Sequence, residues 1–266
     1  MNWSKAVTKI QGGKSVEAQV PVIISASRAT DIPAFYSDWF FGRLKEGYVK
    51  WTNPFNRTPL YVSFQNTRLI VFWSKNFKPL IKHLDYLNDR GINYYFQFTL
   101  NDYDAEKLEP RVPDVQSRIE TFIELSGKAG KEKVIWRFDP LILTDRTGVD
   151  ELLRKVERTG NQLKNCTDKL VFSFADIKIY RKVRNSLRSS SIPYHEFNEQ
   201  TMTEFAAGLQ QLNRNWNFEL ASCAEQIPLE RYGIAHNKCI DDDLIIRLFP
   251  HDKALMDFLG VKITPP

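Results

Sequence analysis

VIWRFDPLIL, residues 134–143, is the stretch on which the fold turns. Seven of its ten side chains are apolar and one is proline. The run reads as a buried strand with two charges, Arg137 and Asp139, near its end. Strand alternation places Arg137 on the face of Ile135 and Asp139, opposite Trp136 and Phe138. A guanidinium in such a place needs a carboxylate or an anionic ligand. Two readings follow: an Arg–Asp pair that holds the top of the sheet, or a cation that meets a ligand.

The same texture recurs on both sides of this stretch. VPVIISAS (20–27), RLIVFWSKN (68–76), NYYFQFTL (93–100), KLVFSFAD (169–176) and NFELASCAE (217–225) read as strands. Helices are expected between them. The first is DIPAFYSDWFFGRLKEG, with Asp31 as N-cap, Pro33 early in the helix, and an apolar face of Ala34, Trp39, Phe40 and Leu44. The others are KPLIKHLDYLNDR (78–90), PDVQSRIETFIELSGKA (113–129), GVDELLRKVERTGNQLK (148–164) and EQTMTEFAAGLQQLNRNW (199–216). YVKWTNP (48–54) and LYVSF (60–64) are short extended pieces. CIDDDLIIRLF (239–249) is expected to hold a short helix, and a charged helical segment to cross to residue 198.

Alternating helices and nearly continuous apolar strands predict an α/β fold with a mainly parallel sheet covered on both faces. About seven strong strands, with an eighth from 48–52 or 60–64, fit a TIM-like (β/α) barrel, closed or else incomplete or distorted. The barrel domain is expected over 20–250, after an N-terminal extension (1–19) and before a C-terminal tail (251–266). An open doubly wound sheet is the competitor. The first strand runs into SASRATDIP, without GxGxxG, and no GxxxxGK[ST] occurs.

The 266 residues are 42% hydrophobic, enough for one large core in one domain or two. The net charge of +5 is spread along the chain, so a nucleic-acid-binding module is only weakly supported. Its basic element would be YRKVRNSLRSSS (180–191), helped by exposed aromatics; a solvated helix face is the plainer reading. No stretch approaches 18 apolar residues, and MNWSKAVTKIQGGKS lacks an apolar signal core. Cys166, Cys223 and Cys239 make no dense disulfide framework. A cytoplasmic location with no membrane partner is therefore expected.

In a parallel barrel the carboxyl ends of the strands carry the chemistry. Six strands here end in polar groups: Ser25, Ser27, Arg28 and Asp31; Trp73, Ser74, Lys75 and Asn76; Gln97 and Thr99; Arg137 and Asp139; Ser173 and Asp176; Ser222, Cys223 and Glu225. The candidate catalytic set is Arg28, Asp31, Lys75, Arg137, Asp139, Asp176 and Glu225. Taken singly, the aspartates are caps or turn formers. Three cations beside four carboxylates suit an enzyme with a polar or anionic small substrate. Lys75 would hold a phosphate or carboxylate, or act as a base if desolvated. A second reading is a hydrolase or lyase whose Asp31, Asp139, Asp176 and Glu225 hold magnesium or manganese. His83, His195, His236 and His251 form no HExxH or close pair, which disfavours a histidine-built zinc site. Cys223 and Cys239 stand sixteen residues apart, which is no metal signature in itself.

SRATDIPAFYSDWF, GYVKWTNPFN, VFWSKNFKPL, YYFQFTL, VIWRFDPLIL, FSFAD, ASCAE and KCIDDDLI together resemble the DUF1848 family, a domain of unknown function, over residues 20 to 249. The resemblance implies a barrel-like α/β body. It also implies a cysteine-rich tail with a CxC pair and a CPHxCxYCYAN-like stretch, whose CxxxCxxC spacing is similar to the cluster loop of radical S-adenosylmethionine enzymes. Neither pattern occurs in this sequence, which runs to GVKITPP. The expectation is that Cys223 and Cys239 join tail cysteines around an iron–sulfur cluster in a longer form. The chain as given is expected to be metal-free or to bind weakly.

Overall fold

In a computed structural model of the chain, the residues described are 4–27, 30–53, 55–177, 184–185, 187, 192–223 and 227–261. The strands are β1 (Lys5–Lys9), β2 (Ser15–Gln19), β3 (Ile23–Ala26), β4 (Tyr48–Thr52), β5 (Pro59–Ser63), β6 (Leu69–Ser74) and β7 (Asn93–Thr99). They continue with β8 (Val134–Leu141), β9 (Leu143–Thr144), β10 (Lys169–Phe174), β11 (Tyr194–His195), β12 (Glu219–Ser222) and β13 (Ile234–His236). The helices are α1 (Ile32–Phe35), α2 (Ser37–Glu46), α3 (Lys78–Ile81), α4 (Leu84–Asp89), α5 (Val115–Ala129), α6 (Val149–Leu163), α7 (Glu199–Asn213), α8 (Asp242–Leu248) and α9 (Lys253–Leu259). This is a mixed α/β fold with parallel and antiparallel pairing. The chain divides into two compact units: 1–73 with 78–95 and 242–266, and 74–77 with 96–241.

In the first unit β3 runs parallel to β6, and an antiparallel group has the order β1-β2-β5-β4 except for the parallel β2–β5 contact. Both strands considered for an eighth barrel position, β4 and β5, pair with each other in this separate sheet. The hairpin β1–β2 lies inside what reads from sequence as an extension. Gly12 and Gly13 turn it, with φ of 85° and 78°, a region glycine enters without steric cost. The single helix expected over 78–90 is two, α3 and α4. His83 interrupts it: its ring stacks on Phe41 at 4.3 Å and its Nε2 meets Asp38 at 2.7 Å.

In the second unit β7, β8, β10, β12 and β13 form a parallel series in the order β13-β12-β10-β8-β7. The near-continuous apolar strands follow from burial on both faces: Val134, Trp136, Phe138, Leu170 and Val171 are fully buried. Trp136 donates its indole N–H to the Leu100 carbonyl at 3.0 Å and meets Phe218 edge-on. Helices α5, α6 and α7 match their expected spans. Gly160 in α6 is needed where Trp216 packs, because a Cβ there would lie 2.6 Å from the indole. β13, not among the strands expected from the sequence, is the short run Ile234–His236 that pairs with β12.

In the described part of the tail, to residue 261, one carboxylate ties α9 to the rest of the first unit. Asp252 caps α9 by accepting from Leu255 N at 3.1 Å, and it also accepts from Arg68 and from Asn93 Nδ2 at 2.7 Å. Burial pushes its carboxyl up, but Arg68, the Leu255 N–H and Asn93 outweigh this and hold it below the usual aspartate value. A depressed folded-state pKa gives stabilisation that is complete above the unfolded value and is lost as pH falls below about 4. Asp252→Asn should therefore cost about 1–3 kcal/mol near neutral pH and flatten the acid loss of stability. Urea denaturation of both proteins across this range checks it, and equal acid slopes would rule the role out.

Candidate functional site

The sequence of β8 brings one charge inside the second unit. Arg137, 3% exposed, is held by groups from two other strands or their ends and by its own strand neighbour. Its Nη2 donates to Asp139 Oδ2 at 2.5 Å and its Nε to the same oxygen at 3.2 Å. Nη1 donates to Gln97 Oε1 on β7 at 3.2 Å. Nη2 also reaches Cys223 Sγ, just past β12, at 3.2 Å. Burial works against the guanidinium's charge, while the Asp139 carboxylate and the Cys223 sulfur favour it. Their balance raises its pKa above the usual arginine value, so it stays charged.

Asp139 is fixed from several directions. Ser173 Oγ donates to its Oδ1 through a short hydrogen bond. The contact arises from a break in strand register: Phe172 pairs with Phe138, yet Phe174 pairs with Leu141. Pro140 has no N–H to continue the ladder, and the register shift brings Ser173 to the carboxylate. Asn101 makes a two-sided clamp, accepting from Asp139 N at 2.8 Å and donating to the Asp139 carbonyl at 3.3 Å. Tyr103, buried just beyond, donates to the Pro140 carbonyl and accepts from Ile142 N, each at 2.9 Å. Burial, first of all, drives its phenol well above its usual pKa, so it remains a neutral clamp.

Lys75 enters the same network through one intermediary. Ser74 and Asn76 hold the turn after β6, with the Ser74 hydroxyl donating to the Asn76 carbonyl and accepting from Asn76 N. Lys75 pairs with Glu109. Glu109 also accepts from Asn101 at 3.2 Å and from buried Arg118 at 3.3 Å. Glu109 thus links Lys75, through Asn101, to Asp139 and Arg137. On the far side, Asn237 Nδ2 donates to Cys223 Sγ at 3.2 Å, while its buried Oδ1 has no hydrogen-bond partner among the described residues.

Of the residues expected from sequence, the structure brings together Lys75, Arg137, Asp139 and Cys223. Asp31 lies in the first unit and caps α1, accepting from Ala34 N at 3.0 Å. Asp176 is exposed after β10, and Cys239 is exposed beyond β13. Arg28 and Glu225 lie outside the described residues, as does most of the basic 180–191 stretch. Asn101, Tyr103, Glu109, Arg118 and Asn237 were missed. Their signal is faint: NDYD after β7 and NK after β13 are short polar runs at strand ends with no recognisable motif.

Metal-binding groups were expected from thiols or from carboxylates. All three cysteines are free. Among the described residues no cysteine belongs to a metal-compatible group of three ligands, so nothing here supports an iron–sulfur site. Consecutive Asp241, Asp242 and Asp243 do offer such a group, with carboxylate oxygens within 4.8 Å of one another. Hard oxygen donors of this kind suit a divalent cation. Only Asp241 is buried, and its Oδ2 already meets Lys169 Nζ at 2.7 Å.

The buried cation gives a direct stability test. Arg137→Met leaves the Asp139 carboxylate without its cation and should destabilise the chain by about 3–5 kcal/mol. Arg137→Lys keeps charge but cannot reach Asp139, Gln97 and Cys223 together, and should lose less. Denaturation midpoints measure both; an unchanged midpoint for Arg137→Met would show that the pair does not hold these strand ends.

Among described residues no helix is long and apolar enough to cross a membrane. Among curated proteins none matches the chain. A solved structure described as a "putative alpha-L-fucosidase" from Bacteroides thetaiotaomicron is similar over 74% of this chain and 85% of that one. It is 7% identical, with a TM-score of 0.31, too low for a shared fold to be read from it. A family model described as "Domain of unknown function (DUF1848)" matches residues 23–259, nearly the whole of the strand–helix series, and the chain belongs to that family.

Proposed function

We propose that this chain is an enzyme acting on a polar or anionic small molecule, with its reaction centre at Arg137, Asp139, Ser173, Lys75 and Cys223. The supporting observation is the buried, charged Arg137, whose hydrogen bonds gather the carboxyl ends of β7, β8 and β12. That end of a parallel sheet is where ligands of α/β enzymes bind. Arg137 supplies a permanent positive charge that orients or stabilises a negative group. Asp139 is positioned by Arg137 and Ser173, and Lys75 offers a partly exposed second cation. Asp176 is the rim carboxylate in this proposal, and Glu225 completes it on the sequence reading alone.

A second reading is a divalent-cation-dependent hydrolase or lyase, and Asp241–Asp243 favour it over iron–sulfur chemistry. Lys169 ties Asp241 to the amino end of β10. Four residues of strand, roughly 13 Å at about 3.3 Å each, separate Lys169 from Ser173. A cation held by the trio would thus be distant from the Arg137 centre along β10.

Thermal-shift screening with small phosphates, carboxylates and sugars separates the two. The first reading expects stabilising compounds whose effect falls about tenfold in affinity in Ser173→Ala and Lys75→Met. The second expects a manganese- or magnesium-dependent shift that disappears in Asp242→Asn with Asp243→Asn. Ligands indifferent to Ser173 and Lys75 would sink the first; cations indifferent to the aspartates would sink the second.

A further inference from the structure

The first unit holds a cavity unrelated to the Arg137 network, and its construction is local. Helix α2 ends at Gly47, whose φ of 84° turns the chain directly into β4. Trp39 and Arg43, four residues apart on α2, share a helix face. Tyr48 and Lys50 share a face of β4, and Lys50 lies opposite Tyr61 on β5. The Tyr48 and Tyr61 rings are 6.3 Å apart and tilted by 48°. Gln11 N donates to the Tyr48 hydroxyl at 3.0 Å, which brings the β1–β2 turn and Ile10 to the same place. The space these residues enclose measures about 330 Å³.

Its lining is chemically one-sided. Trp39, Tyr48 and Tyr61 supply aromatic surface, Arg43 and Lys50 supply positive charge, and among the described residues no carboxylate lines the space. Arg43 spends one nitrogen on Glu46, at 2.6 Å. Its Nε is buried and has no hydrogen-bond partner among the described residues. A buried guanidinium N–H without an acceptor is costly, and an anionic oxygen is the acceptor that suits it. Trp39 is 49% exposed, so a planar ring can reach its face. The volume is at the lower end of the range for small-molecule sites.

We propose that this cavity binds a small planar-ring anion, an aromatic ring carrying one phosphate or carboxylate. The ring stacks among Trp39, Tyr48 and Tyr61, and the anionic group meets Arg43 and Lys50. Neither a bare anion nor a neutral ring uses both halves of the lining. The site contains no residue of the proposed reaction centre and stands whether or not that proposal does.

Isothermal titration of the full chain tests it with two ring anions, adenosine monophosphate and indole carboxylate. Adenosine, indole and inorganic phosphate are the probes that lack one half. At least one ring anion should bind with a dissociation constant below about 1 mM, and its halves at least about tenfold more weakly. Which ring anion binds distinguishes phosphate from carboxylate as the natural group. Arg43→Gln and Trp39→Ala should each weaken binding about tenfold, while Arg154→Gln, on the exposed side of α6 in the other unit, should not change it. If either variant misfolds by circular dichroism, Lys50→Gln at an exposed position reads the same anion contact. The proposal is overturned if neither ring anion binds, if phosphate alone binds as tightly, or if the folded variants bind like the parent.

Discussion

A permanently charged guanidinium has no inexpensive place inside a sheet. Once Arg137 is carried into the second unit by the apolar residues around it, the neighbouring strands must supply acceptors. Asp139, Gln97 and Cys223 do so from β8, β7 and the end of β12. Removing water from this charge raises the energy of every imperfect arrangement, so the strand ends are held in register by electrostatics as well as by the backbone ladder. The same physics makes the place chemically useful, because a preorganised charge in a low-dielectric setting acts strongly on whatever approaches it.

The supporting residues explain how that arrangement is kept. The register break at Pro140 would leave Asp139 on a loose turn. Asn101 holds both its N–H and its carbonyl, and Tyr103 pins the two peptide groups that follow. Glu109 gathers Lys75, Asn101 and Arg118 on one carboxylate. Asn101, Tyr103 and Glu109 each have two or more partners, which is what a precise site requires of its surroundings.

Charge is organised differently at the other end of β10. Lys169, 6% exposed, lies between Glu219 and Asp241 at 2.6 and 2.7 Å. Its ammonium already answers part of the negative charge that Asp241 brings. A metal binding to the adjacent aspartates would have to share Asp241 with that lysine. The two charged regions of this strand therefore differ in kind: one built around a buried arginine, the other around a buried lysine beside an acidic run.

The sequence by itself determined most of the strand–helix series, the positions of α5, α6 and α7, and the shared strand face of Arg137 and Asp139. These depend on local periodicity and on residues two positions apart on one strand, information that is written along the chain. It also carried the DUF1848 resemblance through short motifs. Only the tertiary structure decided that β4 and β5 belong to an antiparallel sheet with the N-terminal hairpin, because alternation reveals a strand but not its partner. It also decided that Asp31, the N-cap its sequence suggests, lies in one unit while Asp139 anchors a network in the other. Asn101, Glu109, Cys223 and Asn237 became partners only when separate strand ends met. Hydrogen bonds between such residues depend on distances in space that no spacing along the chain encodes.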